Sequence, residues 1–365
     1  MSSSKRKKSE TKLSILKGES ITGRFTEMGN LANVLIHVSG NTDRGITFLQ
    51  NDNSEFFLSY LALLEGATRR LGGLQEQGFA PGQYALILLE DSREFVLTFW
   101  ACILGGIIPV PASYPASSKV INTSLSKLQA IWEVLERPLI ISDHSIAEAR
   151  DEMETTLGIS GLRILEAAKL DTAGRDGTHM LAGAHTPAMI QFSSGSTSVP
   201  KGTILTHDNL LTNIESIITS SRMSEDDRSL GWMPYHHDMG LIGFHLSTVA
   251  CGINQFNMTP MKFVKRPTLW LDMIDKHRIT FTGCPNFGLR LVSSRVKEEQ
   301  LKSWDLSSLR LLYNGAEPIS VKTMREFMDK FVHSGLKRSA MYPVYGMAEA
   351  CLAVSFPRPG EEPLV

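Results

Sequence analysis

The chain has 365 residues, past the length at which one hydrophobic core stops growing, so two packed lobes are expected. Its 42% apolar and 21% charged residues fit an ordinary soluble globular protein and argue against a disordered or membrane chain. With 37 Lys and Arg against 38 Asp and Glu, a net charge of -1, it has no overall field to hold nucleic acid or an anionic membrane, and any anion must be bound locally.

Residues 1–20 read as a disordered basic tail with Lys5, Arg6, Lys7 and Lys8. No apolar stretch follows, which excludes a secretory signal. The rival readings, a nuclear address or an anion patch, lack aromatic interleaving. Residues 95–110 are the most apolar stretch but are interrupted by Gly105, Gly106 and Pro109. They are too short to span a bilayer and should form a buried helix running into a strand. The four cysteines, Cys102, Cys251, Cys284 and Cys351, have neither C-x-x-C nor zinc-ligand spacing and read as reduced thiols of a cytoplasmic protein.

From about residue 47 short aliphatic runs alternate with helical patterns, the signature of an α/β fold with a largely parallel sheet. Leu61, Leu64, Thr68, Leu71 and Leu74 fall on one helical stripe, and Pro81-Gly82 then breaks the chain before a strand at 84–89. Similar units place helices at 125–135 and 145–157 before strands at 138–141 and 163–165. The polar stretch 171–186 separates a first α/β subdomain, 21–180, from a second, 181–365. Further strands are expected at 188–192, 230–233, 279–283 and 309–314. Residues 360–365 show no helix stop or closing strand, and the second subdomain reads as truncated.

Residues 191–202, Gln-Phe-Ser-Ser-Gly-Ser-Thr-Ser-Val-Pro-Lys-Gly, lie between an apolar strand and a helix that Thr206 or Asp208 could cap. Small residues let backbone N–H groups curl around phosphate oxygens, the hydroxyls of Ser193, Ser194, Ser196 and Thr197 donate further bonds, Gly195 gives room, and Lys201 adds a charge. The bland rival is a Ser/Gly linker. A Walker A loop is excluded, because Gly202 follows Lys201 where a magnesium-binding hydroxyl would be required.

Three further segments follow. Residues 232–240, Trp-Met-Pro-Tyr-His-His-Asp-Met-Gly, contain adjacent histidines that would point to opposite faces of a strand, so one of them is expected to be structural. Residues 311–318, Leu-Leu-Tyr-Asn-Gly-Ala-Glu-Pro, read as a buried strand ending in a glycine turn. Residues 341–350 carry Tyr345-Gly346-Met347-Ala348-Glu349, and Pro285-Asn286-Phe287-Gly288 lies between these anchors.

Together these segments resemble, over residues 21–357, the adenylate-forming superfamily of acyl-CoA synthetases, adenylation domains and luciferases. Their combination is similar to the fatty acyl-AMP ligase branch, which includes loading domains of polyketide and lipopeptide (nonribosomal peptide) synthases. Ser198 stands where that family has Gly, and Ala348 where it has Thr, which removes a hydroxyl contact to the α-phosphate. The resemblance implies two stacked, largely parallel sheets flanked by helices. It places adenine against Gly315, Ala316 and Glu317, with Tyr345, Gly346 and Met347 also on the nucleotide. His237 would sit by the substrate carboxylate, and Glu349 would bind Mg2+ carried with ATP. Met239, Gly240, Ile242 and Phe287 are candidates for the acyl wall, with Leu241 and Leu289 beside them.

The implied reaction is attack of a fatty acid carboxylate on the α-phosphorus of ATP, helped by His237, Lys201 and Glu349, and then transfer to the phosphopantetheine thiol of an acyl carrier protein. A ribose-binding Asp, a hinge and a small C-terminal domain with a further Lys would lie beyond Val365, so turnover by this stretch alone should be low. Two other readings stay open: a long-chain fatty acyl-CoA ligase, and a non-catalytic acyl- or nucleotide-binding domain of a larger synthase.

Overall fold

The computed structural model describes residues 23–171, 174–180, 182–193 and 200–363; the basic tail expected at 1–20 lies outside them. Strands β1 (Gly45–Leu49) and β2 (Glu55–Ser59) form a hairpin. Strands β3 (Tyr84–Leu88), β4 (Ile108–Pro111), β5 (Leu139–Ser142) and β6 (Ile164–Glu166) make a parallel four-stranded sheet in the order β4-β3-β5-β6. Next comes an antiparallel pair, β7 (Pro187–Ser193) and β8 (Lys201–Thr206). Strands β9 (Arg228–Gly231), β10 (Asn254–Asn257), β11 (Phe281–Gly283), β12 (Leu311–Asn314) and β13 (Met341–Pro343) join the first hairpin in a seven-stranded sheet, ordered β13-β12-β11-β9-β10-β1-β2 and parallel except for β2. A small hairpin of β14 (Tyr345–Gly346) and β15 (Ala353–Ser355) closes the order.

The expected strands are present within a few residues of their forecast positions. They do not sort by a cut at residue 180, however. The hairpin at 45–59 pairs Ile46 with Gln255 and Phe48 with Asn257, so the amino-terminal strands complete the sheet of the second half. Nothing local to residues 45–59 announces this, because strand partners are chosen by contacts two hundred residues away.

Both faces of the four-stranded sheet are covered, as parallel sheets require. Ala85 and Ile87 point into the main core, whereas Leu86 and Leu88 point into a second core with Leu125, Leu128 and Trp132 of the helix Thr123–Val134. The helix Ser92–Leu104 is apolar almost all round and buried from Phe95 to Leu104 except for the half-buried Leu97, the pattern of a helix enclosed by its neighbours. Its Trp100 Nε1 donates to His245 Nε2 at 2.9 Å, and the other ring nitrogen of His245 lies 3.1 Å from Gln255 Oε1. Gln255 Nε2 in turn donates to the Tyr60 hydroxyl at 2.8 Å. This dry network fixes the segment Met239–Leu246, a π-helix; such helices are uncommon and occur mostly at functional positions. No helix among the described residues is long and apolar enough to cross a membrane.

Candidate active site

After β9 the chain turns through Pro234, whose carbonyl accepts the His237 N–H at 3.1 Å. Gly240 permits this turn, since a Cβ there would lie 2.4 Å from the Pro234 carbonyl oxygen. Asp238 Oδ1 accepts from Met239 N at 2.7 Å and lies 2.7 Å from His237 Nδ1. The hydrogen bond to Asp238 raises the His237 pKa above the ordinary histidine value even against partial burial. Its neighbour behaves oppositely: burial, with the positive His237 and Lys127 nearby, pushes His236 down to about 4. The backbone oxygen of His236 accepts Gln191 Nε2 at 2.7 Å.

His237 and Asp238 stand between two cavities and line both. The first, about 480 Å³, has walls from Met239, Gly243 and Phe244 of the π-helix, from Phe281 and Tyr313 of the sheet, from Ala316 and Glu317, and from Tyr345, Gly346 and Leu352. The second, about 430 Å³, is bounded by Thr123, Ser124 and Lys127 of the first lobe, by Gln191, Phe192, Pro200 and His236, and by Met347, Ala348 and Glu349.

The expected residues therefore separate. Ala316, Glu317, Tyr345, Gly346, Met239 and His237 meet at the first cavity, while Met347, Glu349 and again His237 meet at the second. Ser193 pairs with Lys201 across β7 and β8, which brings the two ends of the serine-rich loop together, and Lys201 is exposed at that point. Ser194, Gly195, Ser196 and Thr197 lie outside the described residues. Gly315 lies against Val344, whose carbonyl oxygen would be 2.9 Å from an added Cβ; its role is to let two strand ends approach.

Several acyl-wall expectations are corrected. Ile242 is wholly buried in the core, as are Leu241 and Leu289, and Gly240 serves the turn. Phe287 is exposed and meets Trp232 edge-on at 5.9 Å. The wider turn of the π-helix puts Met239, Gly243 and Phe244 on the cavity face and leaves Ile242 in the core. Pro285-Asn286-Phe287-Gly288 is an anchor. Glu317 Oε1 accepts Phe287 N at 3.1 Å, Asn286 Nδ2 donates to Pro318 O at 2.9 Å, and Asn286 Oδ1 accepts Ser320 N at 3.1 Å.

Sequence reasoning missed Gln191 and Lys127. Gln191 is 3% exposed, lines the second cavity, and its Oε1 has no hydrogen-bond partner among the described residues. Its place just before the serine-rich loop was the available signal. Lys127 carried none, being an ordinary polar position on an amphipathic helix.

A family model described as AMP-binding enzyme matches residues 39–365. The chain belongs to the AMP-binding enzyme family. This AMP-binding enzyme is 34% identical to the medium-chain-fatty-acid–[acyl-carrier-protein] ligase JamA of Moorena producens over 323 residues, which is 87% of this chain and 54% of that protein. It superposes on the fatty acyl-adenylate ligase of L. pneumophila, solved with acyl adenylate and pyrophosphate, with a TM-score of 0.84 at 30% identity, covering 94% of this chain and 59% of that one. On McyG A-PCP complexed with phenylalanyl-adenylate the TM-score is 0.87 at 30% identity, with coverages of 90% and 60%. The chain spans about half the length of the curated relative JamA.

Proposed function

We propose that the protein is a fatty acyl-AMP ligase, activating a fatty acid with ATP and passing the acyl group to the phosphopantetheine thiol of an acyl carrier protein. The observation that carries this reading is the single His237–Asp238 step between a strongly apolar cavity and one with more polar groups in its wall. A fatty acid has an apolar tail and an anionic head, and ATP has an aromatic base and a polyanion. One residue that touches both chambers can hold the carboxylate between the chamber that takes the acyl tail and the base and the chamber that takes the phosphates. The names of the ligases it resembles favour the same reading, with a medium-chain acid from JamA.

In the proposed reaction a carboxylate oxygen bonds to the α-phosphorus while the bond to the bridging oxygen of the β-phosphate breaks, and pyrophosphate leaves with that electron pair. Two anions must approach, so the protein contributes position and positive charge rather than a covalent intermediate. His237, oriented through Nδ1 by Asp238, holds the carboxylate. Tyr345, Gly346, Ala316 and Glu317 of the first cavity take the adenine, so that cavity receives both the base and the acyl tail and the second the phosphates. Lys201 and the serine-rich loop receive the outer phosphates.

Magnesium typically takes one or two protein carboxylates plus substrate phosphate oxygens. The exposed Glu349 at the polar cavity matches that demand, and no group of three His, Cys, Asp or Glu able to hold a metal ion occurs among the described residues. Bound with ATP at Glu349, the ion would neutralise charge on the phosphates as pyrophosphate departs.

The test is ATP–pyrophosphate exchange with fatty acids of graded chain length, followed by transfer to coenzyme A or to a phosphopantetheinylated carrier protein. Exchange that needs a fatty acid, with transfer to the carrier, supports the reading. Transfer to coenzyme A alone makes the protein an acyl-CoA ligase, and no exchange with any acid removes the reading.

A further inference from the structure

The turn that presents Glu349 has a backbone that its own residues do not favour. Cys351 sits at φ 66° and ψ -64°, and Leu352 N donates to Ala350 O at 2.9 Å, which together make a rare, strained γ-turn. Such a conformation persists only where its surroundings over-determine it. Part of the restraint is local: Met347 N donates to Leu352 O at 2.8 Å and Cys351 N to Ala348 O at 3.0 Å. Gly346 is required there, because a Cβ would lie 2.2 Å from the Leu352 carbonyl oxygen.

The other restraint comes from far away in sequence. Asn213, half-buried on the helix His207–Ser221, donates from Nδ2 to Ala353 O at 3.0 Å and accepts at Oδ1 from Ala353 N at 3.0 Å. One amide thus satisfies both backbone groups of a residue two positions beyond the strained one. The helix that carries it follows directly on β8, so the exit strand of the serine-rich loop and the Glu349 turn are tied to one body.

Resting on the adenylation reading above, we propose that Asn213 is a positioning residue for the nucleotide: its two bonds to Ala353 hold the strained turn at Cys351 and aim Glu349 at magnesium-bound ATP. Partners of this kind, one step removed from a metal, orient the ligand carboxylate and are felt in metal affinity.

The experiment measures ATP binding by calorimetry with and without Mg2+, together with thermal unfolding, in the full-length protein. The wild type is compared with Glu349→Gln, Asn213→Ala, Asn213→Asp and Cys351→Gly. The readout is the factor by which Mg2+ tightens ATP binding, which a purely structural loss would not change. Asn213→Ala is expected to cut that factor by about tenfold, close to the effect of Glu349→Gln. Asn213→Asp keeps the acceptor but sets a carboxylate against the Ala353 carbonyl, and should lose as much. Glycine adopts the Cys351 conformation without strain, so Cys351→Gly should keep the wild-type magnesium factor and, added to Asn213→Ala, restore part of it; losing the buried Cys351 side chain should lower the unfolding temperature. Wild-type magnesium factors in both Asn213 variants, beside a loss in Glu349→Gln, overturn the positioning role alone. A wild-type factor in Glu349→Gln overturns the adenylation site as well. If Asn213→Ala does not fold, Asn213→Asp decides the matter in the same way.

Discussion

The two cavities on either side of His237 are of similar size, but the second has more polar groups in its wall. One is walled by Phe244, Phe281, Tyr313 and Leu352, the other by Thr123, Ser124, Lys127, Gln191 and Glu349. They also differ in origin. The apolar chamber is enclosed by the second half of the chain, from Ile217 onward, whereas the polar chamber needs the helix Thr123–Val134 of the first lobe as its far wall. An apolar chamber can be made inside one core, because any set of aliphatic and aromatic side chains will exclude water. A chamber for charged phosphates needs donors and cations converging from several directions, and here two lobes provide them.

If that division is right, the largest effect should come from the polar side. Glu349→Gln is expected to lower ATP–pyrophosphate exchange on the order of a hundredfold while leaving the unfolding temperature unchanged, because the side chain is exposed. Equal loss of folding would break the assignment. On the apolar side, the corrected face can be tested by a pair of substitutions. Ile242→Ala should cost about 2–5 kcal/mol of stability, as for other core truncations, with the order of preferred acids unchanged when measured at low temperature. Gly243→Val, which projects into the cavity near Leu352, should instead shift preference to shorter acids, by about tenfold in the ratio of kcat/KM between a long and a short acid. A reversal of these two outcomes would return Ile242 to the acyl wall.

The smallest effects are in pH. His236 and His245 are pushed down to about 4 by burial, from an ordinary 6.5. The folded state therefore resists protonation that the unfolded chain accepts. Their contribution to stability is complete above 6.5 and is lost as pH falls towards about 4. Denaturant titrations from pH 7 to 4 should show that acid slope, and His245→Gln should flatten it. His237 has the opposite sign: its pKa is raised by Asp238, so the pair stabilises fully below 6.5 and fades as pH rises through the raised value. His237→Asn should remove only that shallow alkaline loss, since the ring is half-exposed.

Much of the site was legible because its parts are contiguous. A serine-rich loop ending in Lys201, a His237-Asp238 pair and a Tyr345-Gly346 element each carry their pattern within ten residues, and the strands before them are short apolar runs. The errors arose where meaning depended on local geometry. Gly240 and Ile242 could be sorted only once the π-helix had formed, and Phe287 looked like a wall residue because its anchoring partner, Glu317, is thirty residues away.

The order of strands and helices, the neutral charge balance and the residue types proposed to face ATP were determined by sequence alone, because periodicity and turn chemistry act between near neighbours. Tertiary structure decided which sheet received residues 45–59, that Gln191 and Lys127 share a chamber with Glu349, and that Asn213 grips Ala353. Those facts depend on contacts across the lobes, where one side chain meets another only after both cores have packed.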